Sequence, residues 1–270
     1  MRSGTFLKIR QKNHTLVKVD EISNPGSVRL RLRSMVESLA AAATPGKKGA
    51  PIARKPFPRF RKSDKQRIIW APFFAADYSP YLPAVFKTAG YEFKILPEPD
   101  KASVELGLQY ASNDICYPGT IVIGDIVKAL KKEQYHPDHI AIGITQTGGQ
   151  CRASNYLSLI RKAMVNAGFE EIPIISVTSS GGLIDQPGFK INWLMKIKLM
   201  YVCTMFADCI AKMYYAVAPR EKIKGRSLKV RQHYMQAVQN KILSRNYAGI
   251  FALLKTAVNE FNQIPVHKKA

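Results

Sequence analysis

Between residues 67 and 177, short apolar runs alternate with longer stretches whose apolar side chains recur every three or four positions. The runs at 67–71, 91–96, 140–145 and 172–177 have the length and β-branched content of buried strands. The stretches at 80–89, 102–110, 120–134 and 153–167 carry the 3.6-residue period of helices, with Gly90 and Gly168 placed to end two of them. Strand and helix in strict alternation predict parallel strands joined by right-handed crossovers. The expected fold class is therefore α/β, a Rossmann-like parallel sheet with helices on both faces.

The flanks follow other patterns. Residues 5–10 and 15–21 alternate apolar and polar side chains about a short turn, which predicts an N-terminal β-hairpin. Residues 27–43 read as a basic amphipathic helix with Val28, Leu32, Met35, Val36 and Leu39 on one stripe. From 44 to 67 the chain is rich in Pro, Gly and Lys/Arg without a period, the signature of a linker or an arm lying over the surface. Beyond Gly181 and Gly182 the chain turns helical, at 192–217, 228–244 and 247–261. Three regions result: a basic N-terminal part at 1–67, an α/β part at 68–185 and a helical C-terminal part at 186–270.

Charge sharpens that division. The chain carries a net +22 over 270 residues, yet 68–218 holds 13 basic and 13 acidic side chains. The excess sits in the flanks, with 17 basic against 4 acidic residues in 1–67 and 11 against 2 in 219–270. Its first residues put charges where the apolar core of a signal peptide would lie, so a cytoplasmic location is expected. The apolar stretch 194–217 is interrupted by Lys196, Lys198, Asp208 and Lys212, which argues for a helix packed on a core and against a membrane span. Four cysteines are too few for a disulfide scaffold, and free thiols or metal ligation fit a reducing compartment better.

Two of the four stand where chemistry is expected. Cys151, in IAIGITQTGGQCRASN, falls where the third strand gives way to a helix, and Cys116, in SNDICYPGTIVIGDI, has Asn113 or Asp114 as a possible cap and Pro118 in the first helical turn. The carboxyl ends of parallel strands and the amino ends of the following helices line one crevice, so the two thiols are expected to face a single site. A helix amino terminus favours thiolate through its dipole and unpaired N–H groups, and Arg152 acts in the same sense. Gly148 and Gly149 allow backbone donors to approach a bound anion. The plainer alternative for each cysteine is a small residue in a tight turn. Cys203 and Cys209 lie roughly 120° apart around a helix, which suits core packing better than shared ligation. No C-x-x-C pair of a structural zinc site occurs, and the five histidines are scattered. Gln146, Thr147, Ser179 and Ser180 fall in the same crevice, where they are either contacts to a ligand or ordinary loop polarity.

The segment 113–177, through NDICYPGTIVIGDIVKAL, ITQTGGQCRASNYLSLIRKAMVNAGF and IPIISV, resembles the 2-hydroxyacyl-CoA dehydratase family, including its CoA-substrate-specific enzyme activase-related proteins. The resemblance extends over about 68–218, and DCIAKMYYAVAPRE at 208–221 is similar to the segment that follows the last strand in that family. It implies an oxygen-sensitive iron–sulfur cluster, of the 4Fe–4S or double-cubane type, charged with one electron by a separate ATP-hydrolysing activase. In the family's dehydratases the electron passes to a 2-hydroxyacyl-CoA and water is lost through a ketyl radical; related members are reductases.

Carried over by position, Cys116 and Cys151 match cluster ligands; Gly148 and Gly149, from their backbone freedom alone, complete the cofactor-binding candidates, and no catalytic residue is assigned. A four-iron cluster usually takes three or four thiolates, and the chain lacks the upstream cysteine-rich half of longer family members. The remaining ligands are therefore expected from a second dehydratase subunit or a homodimer mate, unless the cluster has been lost. An acyl-CoA is the implied substrate. The basic flanks suit coenzyme A phosphates or an acidic partner; nucleic acid is less favoured because no recognised module accompanies the charge. The alternative from another class is a non-catalytic assembly or regulatory subunit that binds through those flanks.

Overall fold

The computed structural model describes residues 28–29, 32–36, 39–40, 57–111, 115–132, 135–146, 151–178 and 186–267. Its contacts divide the chain into two compact units, Met1–Pro56 and Phe57–Ala270. In the first, the described residues are helical, and Leu32, Val36 and Leu39 of the expected apolar stripe are exposed. The expected hairpin at 5–21 lies outside the described residues.

The second unit is α/β. Four strands, β1 (Ile68–Ala71), β2 (Phe93–Ile95), β3 (Ile140–Gln146) and β4 (Ile174–Thr178), form a sheet in the order β2-β1-β3-β4. Every pairing is parallel: Ile69 stands opposite both Phe93 and Ala141, and Ile142 opposite Ile174. Strands this short and this apolar are stable only when covered on both faces, and both faces are covered. On one, Trp70, Ile140, Ile142 and Ile174 pack with α3 (Tyr117–Lys132) and α4 (Tyr156–Ala167). On the other, Ile69, Ala141 and Ile175 meet Phe60, Tyr91 and Phe189. That face is also covered by α1 (Leu82–Lys87), whose Phe86 stacks on Phe93 with ring centroids 4.2 Å apart.

Phe60 is fully buried and its carbonyl accepts from the Gly188 N–H at 2.9 Å, so the end of the expected surface arm belongs to the sheet's own core. An aromatic in a basic, Pro-rich context gave no periodicity from which to read this. The segment 186–191 likewise packs on the sheet. Gln186 clamps the β4 backbone, its Oε1 accepting from the Ser176 N–H and its side-chain amide donating to the Ser176 carbonyl.

Between β2 and β3 the chain makes two helices, α2 (Lys101–Tyr110) and α3. Asp100 caps α2 by accepting from the Ser103 N–H at 3.0 Å. The helices approach so closely that a Cβ on Gly107 or Gly124 would overlap the backbone carbonyl of Thr120 or Ser103. After β4, α5 (Trp193–Val217), α6 (Arg226–Leu243) and α7 (Tyr247–Asn262) share a core of Val202, Phe206, Ile210, Val238, Ile250 and Phe261, joined by Tyr81 and Val85 from the α1 region. Cys203 lies in that core, as its position on the helix suggested, and burial pushes its thiol up to about 12. Among the described residues no helix is long and apolar enough to cross a membrane.

Candidate functional site

The order β2-β1-β3-β4 reverses direction at β1. The connection from β1 leads outward to β2, and the chain then returns to place β3 on the other side of β1. Loops leaving the carboxyl ends of β1 and β3 therefore part from each other and open a crevice, which is where open parallel sheets bind ligands.

Cys151 lies beyond the end of β3, at the N-cap of a 3₁₀ turn, Arg152–Asn155, that runs into α4; its carbonyl accepts from the Ser154 N–H at 3.1 Å. Cys116 stands immediately before α3, and its carbonyl accepts from the N–H groups of Gly119 and Thr120 at 2.9 and 3.2 Å. Both thiols thus sit at helical amino termini, as the sequence implied. Their contexts differ in one respect: Cys116 follows the helix α2 rather than a strand, because two helices occupy the β2-to-β3 connection.

Tyr156, the first residue of α4, touches Cys116. Its hydroxyl lies 3.0 Å from the Cys116 Sγ. Burial first, then the hydrogen bond to Cys116 and the charges of Cys116 and Cys151, push the phenol up to about 12. Tyr156 therefore keeps its proton at neutral pH, and either it or the Cys116 thiol can give the hydrogen bond between them. Gly119 makes room for it: a Cβ there would crowd Ile115 and stand 3.0 Å from the Tyr156 ring. Cys116 is partly buried and Cys151 exposed. Gly148, Gly149 and Thr147 lie outside the described residues, as do Ser179, Ser180 and the candidate caps Asn113 and Asp114; nothing is described of the Arg152 side chain.

Gln146, a candidate for touching a ligand, is occupied with the protein itself. Its Nε2 donates to the Ser154 carbonyl at 2.6 Å and its Oε1 accepts from the Ser176 hydroxyl at 2.9 Å. It ties the turn after Cys151 to β3 and β4, a positioning role.

Sequence reasoning did not assign Tyr156, although CRASNY displays it five residues after Cys151 at the start of a helix. It also did not find the apolar cavity of about 390 Å³ that reaches Tyr156 from beneath α1. The loop after β1, which borders this cavity at Pro72 and Phe74, is anchored at both ends. The Ser79 hydroxyl accepts from the N–H groups of Phe74 and Ala75 at 3.2 and 3.1 Å, Asp77 pairs with Arg231 of α6 at 2.6 Å, and the Tyr78 hydroxyl bonds Asp208 of α5.

The two thiols are of the donor type an iron–sulfur site uses and would supply at most half of its ligands. At helical amino termini they would suit an anionic cluster, and the Tyr156 O–H, 3.0 Å from the Cys116 sulfur, would be a donor to that sulfur. Among the described residues no group of three or more His, Cys, Asp or Glu side chains stands together to complete it. No family model, no curated protein and no solved structure matches the chain.

Proposed function

We propose that the chain is an iron–sulfur cluster-binding subunit of a 2-hydroxyacyl-CoA dehydratase-type system, built on a Rossmann-like sheet. It receives a low-potential electron from an ATP-dependent activase and takes part in removing water from a 2-hydroxyacyl-CoA. The observation that carries this reading is the 3.0 Å contact of the Cys116 Sγ with the Tyr156 hydroxyl, a phenol whose proton is held also by the charge of Cys151 at a second helical amino terminus. The resemblance of the surrounding motifs supplies the rest.

Cys116 and Cys151 would hold one side of the cluster, and a second dehydratase subunit or a second copy of the chain supplies the other ligands. A bound cluster supplies one-electron transfer at low potential. The chain's own residues do three things around it. The helical amino termini offset the negative charge of thiolate ligands, the Tyr156 phenol donates a hydrogen bond to Cys116 without losing its proton, and the Gln146 amide fixes the turn that carries Cys151.

The test is anaerobic purification. Brown protein containing iron and acid-labile sulfide is expected, with both falling in Cys116→Ala and Cys151→Ala. A second reading is favoured by the donor set stopping at two thiols among the described residues: a non-catalytic assembly or regulatory subunit that keeps the fold and binds a partner through its basic flanks. Colourless, iron-free protein from the same preparation, together with its co-purifying chains, would select that reading.

A further inference from the structure

We infer that the cavity between α1 and the sheet is the seat of an uncharged hydrocarbon chain, held with its functional end at Tyr156. In the context of the proposed reaction this makes the acyl group of the substrate an apolar one, a straight or branched aliphatic chain, and disfavours an acyl group ending in a second carboxylate. That assignment of the substrate rests on the cluster reading; the binding of an apolar chain does not.

The cavity begins over the sheet face that carries Ile69 and Ile175, runs beneath Leu82 and Phe86, and passes the carboxyl end of β3 to reach Ala153 and Tyr156. At about 390 Å³ it lies within the roughly 300–1,000 Å³ of small-molecule sites. Gly143 lies in its floor, where a Cβ would stand 2.7 Å from the Ile69 side chain, so the strand contributes bare backbone at this point. Phe74 and Met200, both exposed, stand at its rim.

Among the described residues no Lys, Arg, His, Asp or Glu side chain lines the cavity, and the polar side chains that do are Thr145, near the carboxyl end of β3, and Tyr156, which touches Cys116. A charged group carried inward would lose its hydration without gaining a counter-charge, whereas each methylene seated there leaves water. The polarity is therefore graded: a hydrocarbon tail lies inward and a hydroxyl of the ligand donates to the Tyr156 phenol oxygen, beside Cys116. Such a chain would be oriented by the cavity and presented at the Cys116–Tyr156 contact.

The experiment uses the full chain purified in air without cluster, and neutral amides of straight-chain acids with about four to ten carbons as unreactive probes, with binding followed by calorimetry. Affinity is expected to rise roughly fourfold per added methylene until the cavity is full and then level off, while the amide of a dicarboxylic acid with one free carboxylate binds at least tenfold more weakly than its apolar equivalent of equal length. Leu82→Ala, which enlarges the cavity, is expected to move the levelling point to longer chains, and Ala153→Leu, which narrows it at the Tyr156 end, to shorter ones. Opposite shifts from two folded variants cannot come from general destabilisation. Affinity that is independent of chain length, or a levelling point unchanged in both variants, would overturn the inference. Iron and sulfide content of the anaerobic protein reports on the cluster separately, so a colourless protein that still shows the length dependence would sink the cluster reading and leave the cavity assignment standing.

Discussion

The Cys116 Sγ and the Tyr156 hydroxyl lie 3.0 Å apart, although forty positions of sequence separate the two residues. Because the phenol is held protonated, it is the group that gives the hydrogen bond when Cys116 is ionised. A hydrogen bond to a charged acceptor contributes about 1.5–3 kcal/mol, equivalent to a shift of roughly ten- to a hundredfold in thiolate population. Tyr156→Phe is therefore expected to slow alkylation of Cys116 by about tenfold or more at neutral pH in the metal-free protein. Mass-spectrometric rates for the two cysteines, with Cys151 as the internal reference, check this. An unchanged Cys116 rate would mean that the phenol does not support the thiolate.

The same tyrosine makes stability depend on alkaline pH. An ordinary tyrosine ionises near 10 in the unfolded chain, and Tyr156 is raised to about 12 in the folded one. A group with a raised folded value contributes stability that is complete below the unfolded value and is lost as pH climbs from 10 to 12. Tyr156→Phe is expected to flatten that part of the stability curve, as read by urea unfolding, and to remove one late step from the tyrosinate absorbance titration. Tyr234, also pushed up to about 12 by burial and by its bond to Glu260, should keep its own late step.

The alternation of apolar runs and amphipathic stretches reproduces the described elements of the second unit to within a few residues, because the central strands are buried between two packed layers and the helices that cover them carry an apolar face. The two thiols at helical amino termini were legible for the same reason: a strand end or a cap residue announces a boundary locally. What Cys116 touches was not. The Cys116–Tyr156 contact depends on how α3 and α4 pack, and the cavity on the absence of side chains, as at Gly143, where a gap leaves no mark in a periodic pattern. Phe60 was missed because its burial comes from a non-local strip, residues 57–61 and 186–191, with no regular element of its own.

Glycines at 107 and 124 carry the close crossing of α2 and α3. Alanine is the better helix former by about 1 kcal/mol, and in an exposed helix either substitution would stabilise. Here the added Cβ meets backbone, which has no rotamer to yield, and overpacking of this kind costs about 1–3 kcal/mol. Gly124→Ala is expected to lower the midpoint of thermal unfolding, and, by moving the amino end of α3, to change the alkylation rate of Cys116 as well. A stabilised variant would show that the two helices separate at no cost.

Asp125 on α3 is buried to 1 % exposure, and neither carboxylate oxygen has a hydrogen-bond partner among the described residues. The Lys128 Nζ stands 3.5 Å away but gives its short bonds to Ser103 and Asp100, at 2.6 and 3.0 Å. Burial raises the carboxyl above its usual range, against the opposing pull of Ser103 and Lys128. A carboxyl that holds its proton longer when folded makes the native state less stable as pH climbs from the unfolded carboxylate range through the raised folded value. Asp125→Asn is expected to be close to neutral at acid pH and more stable than the parent at neutral pH, by parallel thermal melts. A loss of stability at neutral pH would show that the Lys128 pairing outweighs the burial of the charge.

Arg231 and Asp77 fasten the loop after β1 to the C-terminal helices. The Nη2–Oδ1 distance is 2.6 Å, both side chains are largely shielded from water, and the guanidinium also lies over the Tyr214 ring at 4.8 Å. Removing one partner leaves a shielded charge unanswered, which costs about 3–5 kcal/mol for a fully buried pair and less for Asp77, whose side chain retains 17 % of its exposure. Arg231→Met is expected to destabilise by about 2–3 kcal/mol, at or just below the bottom of that range, while Arg231→Lys recovers only part because it keeps the charge and loses the flat contact with Tyr214. Pairing Arg231→Met with Asp77→Asn should restore stability beyond the single variant, since no charge is then left alone. The loop borders the cavity at Pro72 and Phe74, so the single variant should also weaken binding of the apolar probes, and the double variant should return part of it. Stability lost equally in the single and double variants would mean that the ion pair does not hold the loop, and that the Tyr78–Asp208 and Ser79 hydrogen bonds set its position.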